Sequence, residues 1–199
     1  MEHMMSQHVR WVPPERNELS AILTGLLTKK AALAGPLTVV GRRSIGRGSF
    51  PKEIVTCRLS DGRTIRVFCK YEAGYNHDAH GHRGGVTHEA AVYQRLLQPL
   101  EVATPTLYGL HRDASKGGVW LVLEALDNST HLHKVPEAMG SAASWIGHFH
   151  AASQEYLAAA AMPFLKPYSE DYYLGWAQRT WQYVRGRHQH TPWLDQLCR

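Results

Sequence analysis

The chain has 199 residues, which is long enough to bury a hydrophobic core in one domain or in two lobes of one domain. Its content of 44% hydrophobic and 20% charged residues excludes a disordered chain. The sequence contains no run of about 18 apolar residues that would span a membrane, and the net charge of +5 comes from scattered basic residues, so a nucleic-acid partner is not expected.

The N-terminal residues indicate an arm followed by one helix. Residues 1–14 are mostly polar and end in two prolines, as expected for a loose arm. Residues 15–33 carry apolar side chains at helical spacing, and Gly35 and Pro36 stop this helix.

Three antiparallel strands are predicted next. Residues 37–40 are apolar or β-branched, and a glycine-bearing turn follows at residues 44–50. Residues 53–59 and 64–71 alternate between apolar and polar side chains, and the Ser-Asp-Gly of residues 60–62 is a strong hairpin signal between them.

A helix and two extended segments follow a polar loop at residues 72–86. Thr87 is placed to cap the helix, whose shared apolar face is made of Ala90, Tyr93, Leu96 and Leu97. Within residues 102–110, Pro105 favours an extended backbone at Thr104. The apolar run 119–125 has the length of a strand that is buried on both faces.

Beyond Asp127 the pattern is helical. One apolar stripe lies between Pro136 and Met162, and a second helical pattern begins at Ser169. Their members are Met139, Ala142, Ile146, Phe149 and Tyr156 in the first and Tyr173, Trp176, Thr180 and Val184 in the second. Because strands with one helix come first and helices alone follow, the sequence predicts an α+β fold in two lobes.

Lys70 and Glu89 are the two residues that point to chemistry. Strand alternation puts Lys70 on one face with Phe68. A lysine at the end of an apolar strand costs desolvation energy unless a carboxylate or a phosphate satisfies it, and Glu89 in the first turn of the next helix is a suitable partner. The alternatives are a lysine that reaches water and a surface glutamate favoured by the helix dipole.

The order of these features resembles the small lobe of protein kinases, and more closely the aminoglycoside phosphotransferase and choline kinase-like family. A glycine turn, a strand lysine, a helix glutamate and an apolar strand that leads into helices occur in that order. The resemblance covers about residues 37–185 and is strongest in four segments, 85–93 (GVTHEAAVY), 102–109 (VATPTLYG), 120–124 (WLVLE) and 145–150 (WIGHFH).

The resemblance implies a protein-kinase-like fold with an ATP-binding small lobe and magnesium as the metal. It divides the chain into an arm and helix at 1–35, a nucleotide-binding small lobe at 36–126 and the incomplete start of a helical large lobe at 127–199. In such a lobe Lys70 would hold the α- and β-phosphates, and Glu89 would orient Lys70. Backbone groups at Gly46, Gly48 and Ser49 would cover the phosphates, and those at Glu124, Ala125 and Leu126 would bind adenine.

The sequence departs from the family pattern at two positions near this site. Pro51 stands where a kinase-type loop has its third glycine, and Phe68 stands where adenine usually packs against a small residue. The Phe68 ring can either stack on the base or block it.

A further departure concerns catalysis. The 199 residues contain neither a His-Gly-Asp loop with a later asparagine nor the acidic metal-binding segment that follows it in the family. We therefore assign no catalytic residue and no magnesium ligand, and expect no turnover by this chain alone.

The first functional hypothesis is an ATP-dependent phosphotransferase of a small hydroxylated molecule, and the alternative is a nucleotide-binding pseudoenzyme or interaction module. Aminoglycosides, choline-like alcohols and sugars remain open as acceptors.

A histidine-rich stretch supports a third hypothesis, a metal-binding protein. Four of its side chains lie in one glycine-rich loop, and His88 follows at the next helix; the four are His77, Asp78, His80 and His82. Imidazole and carboxylate groups at this spacing can bind zinc or nickel, contact a phosphate or substrate, or be plain loop residues.

The cysteines and the N terminus bear on the compartment. Cys57, Cys69 and Cys198 form no pairing framework, as is typical of a reducing environment. The first residues show no basic flank followed by an apolar run. We expect a cytoplasmic protein.

Overall fold

The computed structural model describes residues 12–31, 35–46, 50–72, 85–113, 118–127, 129–159, 162–165 and 167–187. The chain divides into two compact units, Met1–Ala161 and Met162–Arg199. Most of the predicted N-terminal arm, together with Gly48, Ser49 and the loop that carries His77, Asp78, His80 and His82, lies outside the described residues, as does Cys198.

The first unit is built on a five-stranded sheet in the order β1-β2-β3-β5-β4, in which all neighbouring strands are antiparallel. The strands are β1 (Leu37–Ser44), β2 (Lys52–Leu59), β3 (Thr64–Glu72), β4 (Leu107–Asp113) and β5 (Gly118–Glu124). The predicted hairpin between β2 and β3 is confirmed, since the Gly62 N–H donates to the Leu59 carbonyl at 3.0 Å. Gly62 adopts a φ of 86°, which glycine permits without strain.

One face of the sheet is covered by helix α1 (Arg16–Ala31). Leucines one turn apart on α1, at positions 19, 23 and 27, are fully buried against it. Apolar residues of β1, β2, β3 and β5 complete this core. We call this the back face of the sheet.

Two hydroxyl groups of α1 also protect the edge strand β1. Ser20 Oγ accepts a hydrogen bond from the Val39 N–H at 3.0 Å, and Thr24 Oγ1 accepts one from the Leu37 N–H at 3.2 Å. An open strand edge exposes a row of unpaired N–H groups, so these contacts satisfy donors that would otherwise need water.

The opposite face, which we call the front face, carries helix α2 (Gly85–Val92) and a second core. Val86 and Ala90 of the helix pack against Leu107, Leu121 and Leu123 of strands β4 and β5. The helix continues into a π-helical turn (Tyr93–Leu97) before the chain crosses to β4.

Helix α3 (Met139–Ala159) follows two short 3-10 turns (Leu132–Lys134 and Pro136–Ala138). Trp145 on α3 donates its indole N–H to the Ala103 carbonyl at 2.8 Å, which ties the helix to the segment before β4. The predicted apolar stripe is helical, yet Met139 is 55% exposed and Ile146 is 48% exposed. Periodicity thus identified a shared helix face that is half-buried at Ala142, Phe149 and Tyr156 and exposed at Met139 and Ile146.

The second unit contains helix α4 (Glu170–Arg187). The Ser169 carbonyl accepts a hydrogen bond from the Tyr172 N–H at 3.1 Å, so the helix begins where the sequence predicts. Three tyrosines at positions 168, 172 and 173 cluster around its start, with the rings of Tyr168 and Tyr172 stacked at 4.2 Å. The side chain of Val184 lies outside the described residues.

These observations confirm an α+β fold with one antiparallel sheet and, within the described residues, four α-helices. The strands predicted at residues 37–40, 53–59, 64–71 and 119–125 are confirmed in position to within a few residues. The segment 102–110, for which the sequence indicates only an extended Thr104, is irregular up to Thr106 and then enters β4.

The two buried cysteines are expected to resist alkylation in the native protein. Burial raises the pKa of the Cys57 thiol to about 12, and burial also raises the pKa of Cys69. At pH 8 only about one Cys57 thiol in ten thousand would then be ionised, and the thiolate is the reactive form. Mass spectrometry after iodoacetamide treatment at pH 8 should find both cysteines unmodified in the native protein and modified after unfolding in guanidinium. Rapid labelling of either cysteine in the native chain would contradict this burial.

Candidate functional site

The site centres on Lys70 at the end of β3. Its ammonium forms an ion pair with the carboxylate of Glu89 on α2, and the two side chains are about one-fifth and one-third exposed. The predicted contact between these residues is therefore confirmed. Strand alternation turns Lys70 to the front face with Phe68, while Cys69 and Tyr71 lie in the back-face core.

Helix α2 is fixed by a contact that the sequence analysis missed. The Glu72 carboxylate accepts hydrogen bonds from the Val86 N–H at 3.2 Å and the Thr87 N–H at 3.3 Å. Since the first N–H groups of a helix have no partner within the helix, a carboxylate there stabilises its N-terminus. Glu72 directly follows the strand that carries Lys70, so one short stretch of chain positions both members of the ion pair.

This geometry corrects two predictions. The helix begins at Gly85, two residues earlier than expected, so Thr87 is a helical residue and its cap is supplied by Glu72. Glu89 consequently lies in the second turn of α2, where its carboxylate pairs with Lys70. The N–H groups of the first turn are bound by Glu72. Gly85 adopts a φ of 72°, and a side chain there would overlap the Glu72 carboxylate.

Two aromatic rings lie beside the ion pair on the front face. Phe50, at the end of the glycine turn, places its ring centroid 5.2 Å from Lys70 Nζ. Phe50 and Phe68 are both half-buried and pack against the α2 core. Phe50 was not among the predicted site residues, although its position at the end of the glycine turn, two residues before β2, could have suggested it. Gly46 is exposed, and no atom of the described residues lies within 4 Å of the position that a β-carbon would take there.

The end of β5 is held by Glu124. Its Oε2 accepts hydrogen bonds from the Thr106 N–H at 3.0 Å and the Thr106 hydroxyl at 2.9 Å, and its own N–H donates to the Thr106 carbonyl at 2.8 Å. The hydrogen bonds from Thr106 lower the pKa of the Glu124 carboxyl below its ordinary value. Ala125 is half-buried and Leu126 is 54% exposed, and the following Asp127 pairs with Arg66 of β3.

The back face stabilises the same strands through a buried polar network. Arg42 of β1 donates to both oxygens of the Glu53 carboxylate at 2.6 and 2.8 Å and to the Pro14 carbonyl at 2.7 Å. The Tyr71 hydroxyl donates to Glu53 at 2.5 Å. The hydrogen bond with Glu53 raises the pKa of Arg42, and burial raises that of Tyr71. Glu53 and Tyr71 are chain neighbours of Lys52 and Lys70, so this network holds the strand ends on which the site is built.

A separate cavity of about 530 Å³ lies between residues 100–103 and α3. Trp145, His148 and Glu155 contribute to its wall, and none of the predicted site residues lines it. Glu101 at its rim has a φ of 52°, which is uncommon for a residue other than glycine. The cavity is thus distinct from the Lys70 site.

In the part of the chain that the structure describes, no three or more histidine, cysteine, aspartate or glutamate side chains come together in a way that could hold a metal ion. His88 is described and half-buried on α2. Among the helices of the described residues, none has the length and apolar character needed to cross a membrane.

Comparison with known proteins found no relative of this chain. No protein-family model, no curated protein and no solved structure matches this chain.

Proposed function

We propose that the Lys70–Glu89 ion pair binds the phosphates of a nucleoside triphosphate. On this proposal the sheet and α2 are the kinase-like small lobe of an ATP-dependent phosphotransferase that acts on a small hydroxylated molecule. The observation that carries the proposal is the ion pair itself, formed between the end of a buried strand and the helix that packs on the same sheet face.

The chemistry of the pair suits a polyanion. Lysine binds phosphate as a compact positive charge, and a carboxylate beside it fixes the ammonium where the ligand needs it. Because phosphoryl transfer depends mainly on positioning and on neutralising charge, a cation held in this way aligns the phosphate donor. Glu72 strengthens the arrangement by fixing the helix that presents Glu89.

The base would lie further along the same face. Phe68 is two residues before Lys70 and half-buried, and its ring offers a surface on which adenine can stack. The backbone of Ala125 and Leu126 follows β5, the strand that pairs with β3. We propose that these groups hydrogen-bond the base, as the resemblance implies.

Magnesium is implied by the resemblance, but the described residues do not fit it. Magnesium needs several oxygen ligands in octahedral geometry, often from one or two carboxylates and the phosphates. The Glu89 carboxylate is taken up by Lys70, and the described residues provide no cluster of metal-ligating side chains. We therefore assign no magnesium ligand and no catalytic step to these residues.

The proposal predicts that Lys70→Ala weakens ATP binding by about 10- to 100-fold, because a hydrogen bond to a charged group contributes roughly 1.5–3 kcal/mol. Isothermal titration calorimetry with ATP measures the effect directly. Lys29→Ala is the matched control, since Lys29 is an exposed lysine in the last turn of α1 and its loss should leave ATP affinity unchanged. Equal ATP affinity of Lys70→Ala and the native chain, or no ATP binding at all, would refute the proposal.

Nucleotide binding is shared by the second candidate, a pseudoenzyme or interaction module. The 199 residues contain no His-Gly-Asp motif, the segment that carries the catalytic base in the family that the chain resembles. Incubation of residues 1–199 with labelled ATP and a panel of aminoglycosides, choline and sugars distinguishes the two. We expect ATP binding without transfer, and transfer of label to any acceptor would contradict this expectation.

A further inference from the structure

A second lysine faces the site directly across the hairpin. Lys52, the first residue of β2, is the register partner of Lys70 on β3. Directly opposed residues of antiparallel strands project to the same face, with their β-carbons about 4.5–5.5 Å apart. Lys52 and Lys70 therefore project side by side from the front face.

This pairing is unfavourable unless an anion offsets it, because like charges placed opposite each other destabilise a sheet. Glu89 neutralises only one of the two lysines. Within the described residues, no carboxylate lies within ion-pairing distance of Lys52.

Other cations of the three-strand meander differ from Lys52 in pairing or in exposure. Arg42, Arg63 and Arg66 each pair with a carboxylate. Within the described residues Arg43 and Arg58 pair with none, but both are exposed, whereas Lys52 is half-buried. A free surface lysine would be expected to extend into water.

Within the described residues, no helix covers the front face beside Lys52. Helix α2 packs mainly on β3, β4 and β5, so within the described residues the front face of β2 carries no helix. Lys52 is anchored from its backbone, whose carbonyl accepts the Ile45 N–H at 2.9 Å. Its strand position is therefore fixed by this hydrogen bond across the glycine turn, while its ammonium has no carboxylate partner within the described residues.

We propose that Lys52 is a second phosphate-binding residue, and that Lys52 and Lys70 together select a ligand with at least two linked phosphates. The Lys70 ammonium, which is paired with Glu89, can bind one phosphate group. The further positive charge of Lys52 would be neutralised by a second phosphate group of the same ligand. The inference rests on the proposed function, which it deepens by naming the polyphosphate as the part of the ligand that is recognised.

The test compares Lys52→Gln with Arg58→Gln in calorimetric titrations with pyrophosphate, ATP and AMP. Arg58 is an exposed cation on the same strand and the same sheet face as Lys52. It lies opposite Thr64 at the other end of β2, so its α-carbon is about 20 Å from that of Lys52 at the usual rise per residue. Lys52→Gln should weaken pyrophosphate and ATP about tenfold or more and change AMP binding much less. Arg58→Gln should change none of the three beyond a small loss of general attraction.

A second measurement separates binding from structure. Without ligand, Lys52→Gln should leave the melting temperature unchanged or raise it, because it removes the repulsion across the hairpin. With saturating pyrophosphate, the native chain should gain more thermal stability than the variant. A lower melting temperature of the unliganded variant would show that Lys52 serves the fold, and would overturn the inference.

The outcomes distinguish the two proposals. If Lys70→Ala weakens ATP while Lys52→Gln behaves like Arg58→Gln, the inference about Lys52 is wrong and the nucleotide proposal stands. If pyrophosphate binding depends on Lys52 but ATP binds no tighter than pyrophosphate, the inference stands and nucleotide recognition is wrong. If no phosphate compound binds, both are wrong.

Discussion

Glu53→Ala is expected to lower the free energy of unfolding by about 3 kcal/mol or more. The substitution leaves Arg42 without its carboxylate, and removal of one partner from a buried ion pair typically costs about 3–5 kcal/mol. Arg42 keeps a side-chain exposure of 20% and its bond to the Pro14 carbonyl, which places the expected cost at the lower end of that range. The Tyr71 hydroxyl also loses its hydrogen bond to Glu53 within the core.

Thermal unfolding followed by circular dichroism measures this effect, with an expected fall in melting temperature of about 6–12 °C. Glu155→Ala is a suitable control, since Glu155 is an exposed residue of α3. The double variant Arg42→Met/Glu53→Leu should recover much of the lost stability, because apolar residues can replace a buried ion pair. A melting temperature of Glu53→Ala within about 2 °C of the native value, which corresponds to less than roughly 1 kcal/mol, would show that the network contributes little.

The three-strand meander was the part of the fold that local sequence determines best. Alternation with a period of two identifies each strand, and Asp61-Gly62 allows only a tight connection between β2 and β3. The register follows only once the length of the turn is known. The observed loop of residues 60–62 pairs position 52 with position 70, whereas a two-residue Asp-Gly turn would pair position 52 with position 71. The sequence therefore placed Lys52 near the end of β3 without fixing Lys70 as its partner.

The polar network was less visible because its partners are distant in sequence. Alternation in β2 places Glu53 on the same side as Val55 and Cys57, which is the buried side. A carboxylate on a buried face requires a partner, but local pattern does not reveal which of the scattered arginines supplies it. Only the pairing of β1 with β2 brings Arg42 to Glu53.

Helix placement also depended on long-range packing. The apolar spacing of residues 15–33 predicts a helix, and the structure gives Arg16–Ala31, but spacing does not say which sheet face the helix covers. The stripe on α3 shows the converse, because its residues share a face that is about half exposed at Met139 and Ile146. Periodicity specifies a face, and the rest of the fold decides whether that face is buried.

The position of α1 leads to a second large expected effect, since the helix supplies much of the back-face core. Leu23 is fully buried at its centre, between Leu19 and Leu27. Leu23→Ala should therefore lower the free energy of unfolding by about 2–5 kcal/mol, through lost burial and the cavity left behind. For a chain of this size that corresponds to a fall in melting temperature of roughly 4–20 °C.

Leu157→Ala provides the matched control, because it removes the same atoms from a helix position that is 41% exposed. Alanine is also the better helix former, so this variant should lose little stability. The contrast tests whether α1 belongs to the sheet or is an appended arm. If Leu23→Ala and Leu157→Ala unfold at the same temperature, α1 does not stabilise the sheet. In that case the hydroxyl contacts of Ser20 and Thr24 to β1 would not protect the sheet edge in solution either.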